Sequence, residues 1–433
     1  MSSMYRVAVG LLVALSVQTA SQTGWGDTAG GPLSTHSAQA PVSDRAARAA
    51  TVSDLDRKLL AMVGVTAPRG GPLAISSAQC DETIRLNGPE FYVVSMSRSG
   101  FPDGCQINLF NTQPLAPSGR GRGIDAAGVP PFLLFPQQSA SLTFDASIQS
   151  WTMPPLPPWP GPTDGIVFFK NSAGGSDNPL KSDCLAPGAG ACATFNHAVS
   201  LLYMRTRPIA PALIQADCEQ PYNEHINVTG QVPGHMSTLN IVGNPSNPSQ
   251  CQIIANDGGI LLWVKDHAAV TFSGFLLGFN PVKGGAVAIS AYQSTIVDLA
   301  NIVFAANDLG TNISGAELAS FNITGPYTLA GNATTHINMQ TGSHLTAGAV
   351  QVHVSGHPHV GVFYLAGTGA SITHDAGPIT FAGNPAGLTG QLANVSSCGV
   401  VSLNGTSFGA TGLVGSTGPA ADAFGNKCGY LGK

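Results

Sequence analysis

The chain has 433 residues, and Asp, Glu, Lys and Arg make up 9% of it, about a third of the usual share. With a net charge of -5 it has no basic surface to neutralise a phosphate backbone, which excludes nucleic acid as a natural partner. A hydrophobic content of 43%, together with 53 glycines and 31 prolines, excludes a coiled coil or a charge-rich disordered chain and points to a large core built from many short strands and turns.

In chain order, MSSMYR leads into an apolar run from Val7 to Val17 and then the small residues QTASQ. These are the parts of a secretory signal, residues 1–21, and the run is too short for a transmembrane helix. The protein is therefore expected to be secreted, periplasmic or on the cell surface, with no permanent transmembrane helix. Residues 22–71 read as a linker with a short amphipathic helix at 52–65. The runs FYVVSM, CQINLF, PPFLLF and ASLTF, broken by Gly and Pro, predict a small β-rich module over residues 72–152. A Pro-rich linker, 153–163, follows, because its prolines cannot pair inside a sheet.

Eight cysteines suit an oxidising compartment. Loop-closure cost favours consecutive pairing: Cys80 with Cys105, Cys184 with Cys192, Cys218 with Cys251, and Cys398 with Cys428. No Cys-x-x-Cys or zinc-type Cys/His spacing occurs, so no metal ligand is predicted among them.

Residues 164–433 carry a repeat. An apolar, any, apolar, any, Gly/Asn pentad occurs at Leu239–Gly243, Val270–Gly274, Val297–Asn301, Phe321–Gly325, Val352–Gly356, Ile379–Gly383 and Val401–Gly405, at offsets of 31, 27, 24, 31, 27 and 22. Alternation places the first and third residues on one side of a strand and the second and fourth on the other. The terminal Gly or Asn supplies the backbone of a sharp corner. A unit of this length with one such strand and room for two more is a coil of a parallel β-solenoid, whose stacked coils share one aliphatic core. Propeller blades need more residues per repeat.

The segment Gly165–Leu202 resembles the opening of secreted pectin lyase-like, right-handed parallel β-helix proteins. The matching residues are Gly175, Ser176 and Asp177 in the turn, the Cys184 to Cys192 loop, and Ala193, Thr194, His197 and Ala198 at the start of a capping helix. Thr194 suits its N-cap, with Phe195, Val199 and Leu202 on the covering face. The stretch from Ile379 to Gly405, with Thr334 to Leu345, is similar to the ends of bacterial β-helical proteins described as phage-tail-like. The resemblance implies an all-β, right-handed parallel β-helix over about residues 165–430. It also implies three candidate activities: polysaccharide lyase or glycoside hydrolase, glycan binding, and a tail-fibre-like receptor-binding module, the last consistent with a homo-oligomer.

Pectate lyases of this group use an Arg base beside calcium held by clustered carboxylates. Here no Arg follows Arg207, and Asp257, Asp266, Asp298, Asp308, Glu317 and Asp375 are scattered. No cofactor is predicted, and calcium enters only through the resemblance. The second position of each pentad predicts an outer ladder of Asn240, Thr271, Asp298, Asn322, His353, Thr380 and Ser402. With coils about 4.8 Å apart, Asp298 and His353 fall roughly 10 Å from each other with Asn322 between them. The catalytic candidates are Asp298, Asp266 and His353; the ligand-binding candidates are Trp263, Asn322, Asp298 and His353. Six histidines (His336, His344, His353, His357, His359, His374) match no metal-site spacing. Uncharged hydroxyls and amides suit sugar hydroxyls, so glycan or cell-surface polysaccharide binding without catalysis is the expected function, ahead of the enzyme and tail-fibre alternatives.

Overall fold

The computed structural model describes residues 62–66, 72–114, 119–156, 167–171, 173–205, 212–230, 238–280, 284–374, 377–420 and 430–432. The signal segment, residues 52–61 of the expected helix and residues 157–163 of the Pro-rich linker lie outside them.

From Val167 onward the chain is a parallel β-solenoid whose coils visit three faces. The first face stacks Val167–Lys170, Ala212–Ala216, Leu239–Val242, the first halves of Ala269–Phe279 and Ile296–Phe304, then Ser320–Ile323, His344–Ala347, Ser371–Thr373, Val400–Ser402 and Tyr430–Gly432. The second face holds Gln252–Ala255, the second halves of those two long strands, Tyr327–Leu329, Gln351–Val354 and Thr380–Gly383. The third runs from Ile226–Thr229 through Ile260–Lys265 and Val287–Ala291 to Gly412–Ala420. On the first face Phe168, Ile214, Ile241, Phe272 and Leu299 are in register and buried, so the coils share one core.

The pentads do not form a single stack. Leu239, Val270, Val297 and Phe321 lie one above another, but the next rung is Leu345, followed by Ile372 and Val401. Val352–Gly356 and Ile379–Gly383 belong to the second face, where Val352 lies between Tyr327 and Phe381. The pattern skipped the Leu345 rung because its fifth position is Ala349, and the Ile372 rung because its third and fifth positions are His374 and Ala376. Strands on two faces with the same alternation and a glycine corner cannot be distinguished by periodicity. Gly274 and Asn301 do take the left-handed corner, at φ 80° and 54°, bending one continuous strand from the first face to the second.

The corner between the third and first faces is a feature the sequence did not announce. Six coils in succession turn it with two left-handed residues: Asp266 and His267, Gln293 and Ser294, Glu317 and Leu318, Thr341 and Gly342, Thr368 and Gly369, Ser397 and Cys398. The second N–H of each pair donates to the first carbonyl of the pair in the next coil, from His267 to Gln293 at 3.1 Å through Gly369 to Ser397 at 3.0 Å. A backbone ladder thus offsets the strain of placing non-glycine residues there.

The N-terminal module is a short parallel coil with its own core. Met62–Thr66, Glu82–Asn87 and Gln106–Asn111 pair in parallel on one sheet, and Leu73–Ile75, Tyr92–Met96 and Arg122–Ala126 on another. Antiparallel strands Phe132–Leu134, Ser139–Asp145 and Ser150–Thr152 close it. Residues 62–65 of the expected helix are thus a strand: Val63, Val65 and Thr66 are β-branched, and the edge of Glu82–Asn87 gives them a partner. The module meets the solenoid through Arg120, which grips the buried Asp183 with two 2.9 Å bonds, while the Gly121 N–H donates to the same carboxylate at 2.7 Å. Phe135 packs edge-on against Phe168.

Cys80–Cys105, Cys184–Cys192 and Cys218–Cys251 are disulfides, as expected; Cys428 lies outside the described residues. The helix Phe195–Arg205 begins at Thr194, whose Oγ1 accepts the His197 N–H at 3.1 Å, and it buries Phe195, Val199 and Leu202. Asp177 fixes that cap, accepting from the Ala193 and Thr194 N–H groups and from Thr194 Oγ1.

Candidate functional site: the polar ladder of the first face and its cleft

The outward positions of the first face form one column in register: Leu213, Asn240, Thr271, Asp298, Asn322, Thr346, Thr373 and Ser402. Its centre is bonded through side chains. Asn322 Nδ2 donates to Asp298 Oδ1 at 2.7 Å, and Thr346 Oγ1 donates to Asn322 Oδ1 at 2.7 Å. Stacking at strand spacing brings short polar side chains within hydrogen-bond reach, so each rung orients the next.

Asp298 and Asn322 occupy the expected ladder; His353 and Thr380 do not. Thr346 and Thr373 take those two places, and His353 lies on the second face between Thr328 and Ala382. The expected geometry of Asp298 and His353 across Asn322 is overturned by the register of the two stacks. Asp298 has Thr271 and Asn322 on either side, so its column gives it no second carboxylate or imidazole for acid–base work. Asp266 is the first left-handed residue of a corner. Trp263 stands on the third face, half-buried, with Lys265 Nζ 4.3 Å from its ring centroid, so one ring face is already occupied. Its Nε1 and the hydroxyl of the neighbouring buried Ser290 have no hydrogen-bond partner.

The six histidines are not brought together. His336 and His374 are interior. With Asn312 Nδ2 as donor, His336 Nδ1 accepts at 3.1 Å and Nε2 faces the Tyr327 hydroxyl at 3.1 Å; burial holds its pKa down at about 3. His374 bonds the Tyr364 hydroxyl and Thr406 Oγ1. His344 pairs with Ser320, and His359 with Thr389.

The same outer wall widens into a cleft of about 680 Å³ where Ala212–Ala216 and Leu239–Val242 end. Gln215, Asp217, Glu219, Asn244, Pro245 and Gln250 contribute to its lining, and no Lys or Arg does. The Cys218–Cys251 disulfide ties its wall across adjacent coils. Gln215 Nε2 is held by the Val242 and Gly243 carbonyls, and Asn244 Nδ2 donates to Gln250 Oε1. Asp217 Oδ1 accepts the Tyr222 hydroxyl at 2.6 Å, whereas Oδ2 is buried with no donor. Sequence reasoning missed this cleft, although Asp217 and Glu219 flank a cysteine whose pairing crosses coils. Nearby, buried Lys170 pairs with Glu224 at 3.1 Å and lies 4.3 Å from the Tyr222 ring centroid; burial raises the Glu224 pKa. Among the described residues, Cys184, Cys192 and His197 are the group of metal-ligating residue types whose side-chain atoms lie within 4.8 Å of one another, with the two sulfurs joined in a disulfide.

Comparison with known proteins finds no matching family, no similar curated protein and no similar solved structure. What stands is the architecture, a parallel β-solenoid.

Proposed function

We propose that this is an exported, non-catalytic β-solenoid that binds glycans or a polysaccharide surface along its first face, with the cleft as the deeper end. The observation that carries this reading is the bonded Asp298–Asn322–Thr346 ladder. It offers hydroxyls and amides at regular spacing, already oriented, which lowers the entropy cost of engaging a polymer of hydroxyls. The cleft adds acceptors without a cation to attract a uronate. Three disulfides, and among the described residues no helix long and apolar enough to cross a membrane, are consistent with export.

The test is a glycan array on the mature protein, followed by Asn322→Ala with Thr346→Ala. Binding should appear for neutral polysaccharide and weaken about tenfold or more in the double variant, the loss expected from two buried-edge hydrogen bonds. Release of oligosaccharide that stops in Asp298→Asn or Asp266→Asn would replace this reading with that of a lyase or hydrolase. A trimeric mature chain that adsorbs to cells but to no isolated glycan would favour the tail-fibre alternative.

A further inference from the structure

The Cys184–Cys192 disulfide closes a loop only eight residues apart in sequence, and both cysteines are fully buried. Their backbones are held together without the S–S bond. The Phe169 N–H donates to the Cys184 carbonyl at 2.8 Å, the Cys192 N–H to the Phe169 carbonyl at 2.8 Å, and the Asn171 N–H to the Cys192 carbonyl at 2.9 Å. Both cysteines thus flank one strand residue, and their side chains stay adjacent if the disulfide opens. His197, on the first turn of the helix, is the third member of the group: one of its ring nitrogens and both sulfurs lie within 4.8 Å of one another. The Thr194 cap sets its backbone through the 3.1 Å bond from the His197 N–H. Cys192 precedes that cap by two residues, and His197 lies in the first turn of the helix that follows.

We infer that the reduced chain holds one zinc-type soft cation on Cys184, Cys192 and His197, so that a metal can close the loop when the disulfide does not. Two thiolates and an imidazole are donors that zinc takes, with water able to serve as a fourth. The chemistry balances. A dithiol reductant delivers two electrons and two protons, cleaving the S–S bond into two thiols and becoming a disulfide itself. The cation then displaces both thiol protons and binds. In the reverse direction a disulfide oxidant removes two electrons, the S–S bond re-forms and the cation leaves. The site therefore reads redox state: oxidised, it cannot hold the ion; reduced, it can. The three residues lie within fourteen positions of one another, at a Cys-x7-Cys-x4-His spacing that matches no common zinc motif.

The experiment uses the full chain reduced by a phosphine under anaerobic conditions, titrated with Co²⁺ as the probe and then with Zn²⁺ as competitor. One equivalent of cobalt should bind with thiolate-to-metal charge-transfer absorption, and zinc should displace it. Cys184→Ser with Cys192→Ser keeps the other thiols and should abolish the band; His197→Ala should weaken binding about tenfold or more. The oxidised chain should show neither. Equal cobalt affinity in His197→Ala, a band that survives the double cysteine variant, or no band in the reduced folded chain would overturn the inference. So would a reduced chain that unfolds and is not rescued by zinc.

Discussion

His336 makes the solenoid acid-sensitive, and the size of the effect follows from its surroundings. The ring is fully buried among Phe304, Tyr327 and Phe363. Desolvation holds its folded pKa at about 3, against about 6.5 for a solvated imidazole. The unfolded chain therefore binds a proton that the folded chain refuses, and stability falls as pH drops from the unfolded value towards the folded one. At pH 5 the unfolded imidazole is favoured by about 2 kcal/mol, rising to about 4 kcal/mol near pH 3. Glu224, whose pKa burial raises, runs the other way, its cost easing as pH falls. The informative quantity is thus the difference between wild type and His336→Gln, which keeps hydrogen-bonding groups but cannot ionise. Urea unfolding at pH 7.5 and 5.0, followed by far-UV circular dichroism, should show wild type losing about 2 kcal/mol more than the variant over that interval. Equal losses in the two proteins would refute the neutral-core account of this histidine.

Leu318 is 62% exposed and sits at φ 66°, so Leu318→Gly should raise stability by about 0.5–1 kcal/mol and shift the urea midpoint upward; an unchanged or lower midpoint would show that its contact over Gly342 matters more than its strain. Gly390 has φ 135°, and a Cβ there would lie 1.6 Å from the Val360 carbonyl oxygen. Gly390→Ala should therefore cost more than about 3 kcal/mol or abolish soluble expression, and a near-neutral result would mean the strand can shift where it pairs with Val360. Lys170→Met alone should cost about 3–5 kcal/mol by stranding the Glu224 carboxylate, whereas adding Glu224→Gln should recover most of it; equal costs for the single and double variants would show that the pair is not coupled.

The sequence by itself determined the fold class. Alternating apolar residues closed by Gly or Asn, recurring at one coil's length, allow no other way to bury that face than stacking, and the rungs Leu239, Val270, Val297 and Phe321 lie where the pattern put them. Local chemistry also gave three disulfides and the Thr194 cap, since short loops and N-caps depend on neighbours in sequence. The tertiary structure alone decided which face each pentad joined. His353 obeys the same alternation as Asn322 yet faces another direction, because face is set by where the corner falls and not by period. The same holds for the cleft beside Asp217, which joins Gln215 to Glu219 with Val242 to Gln250 through the stacking of coils. Composition carries no record of those contacts, since they come from long-range packing and not from spacing along the chain.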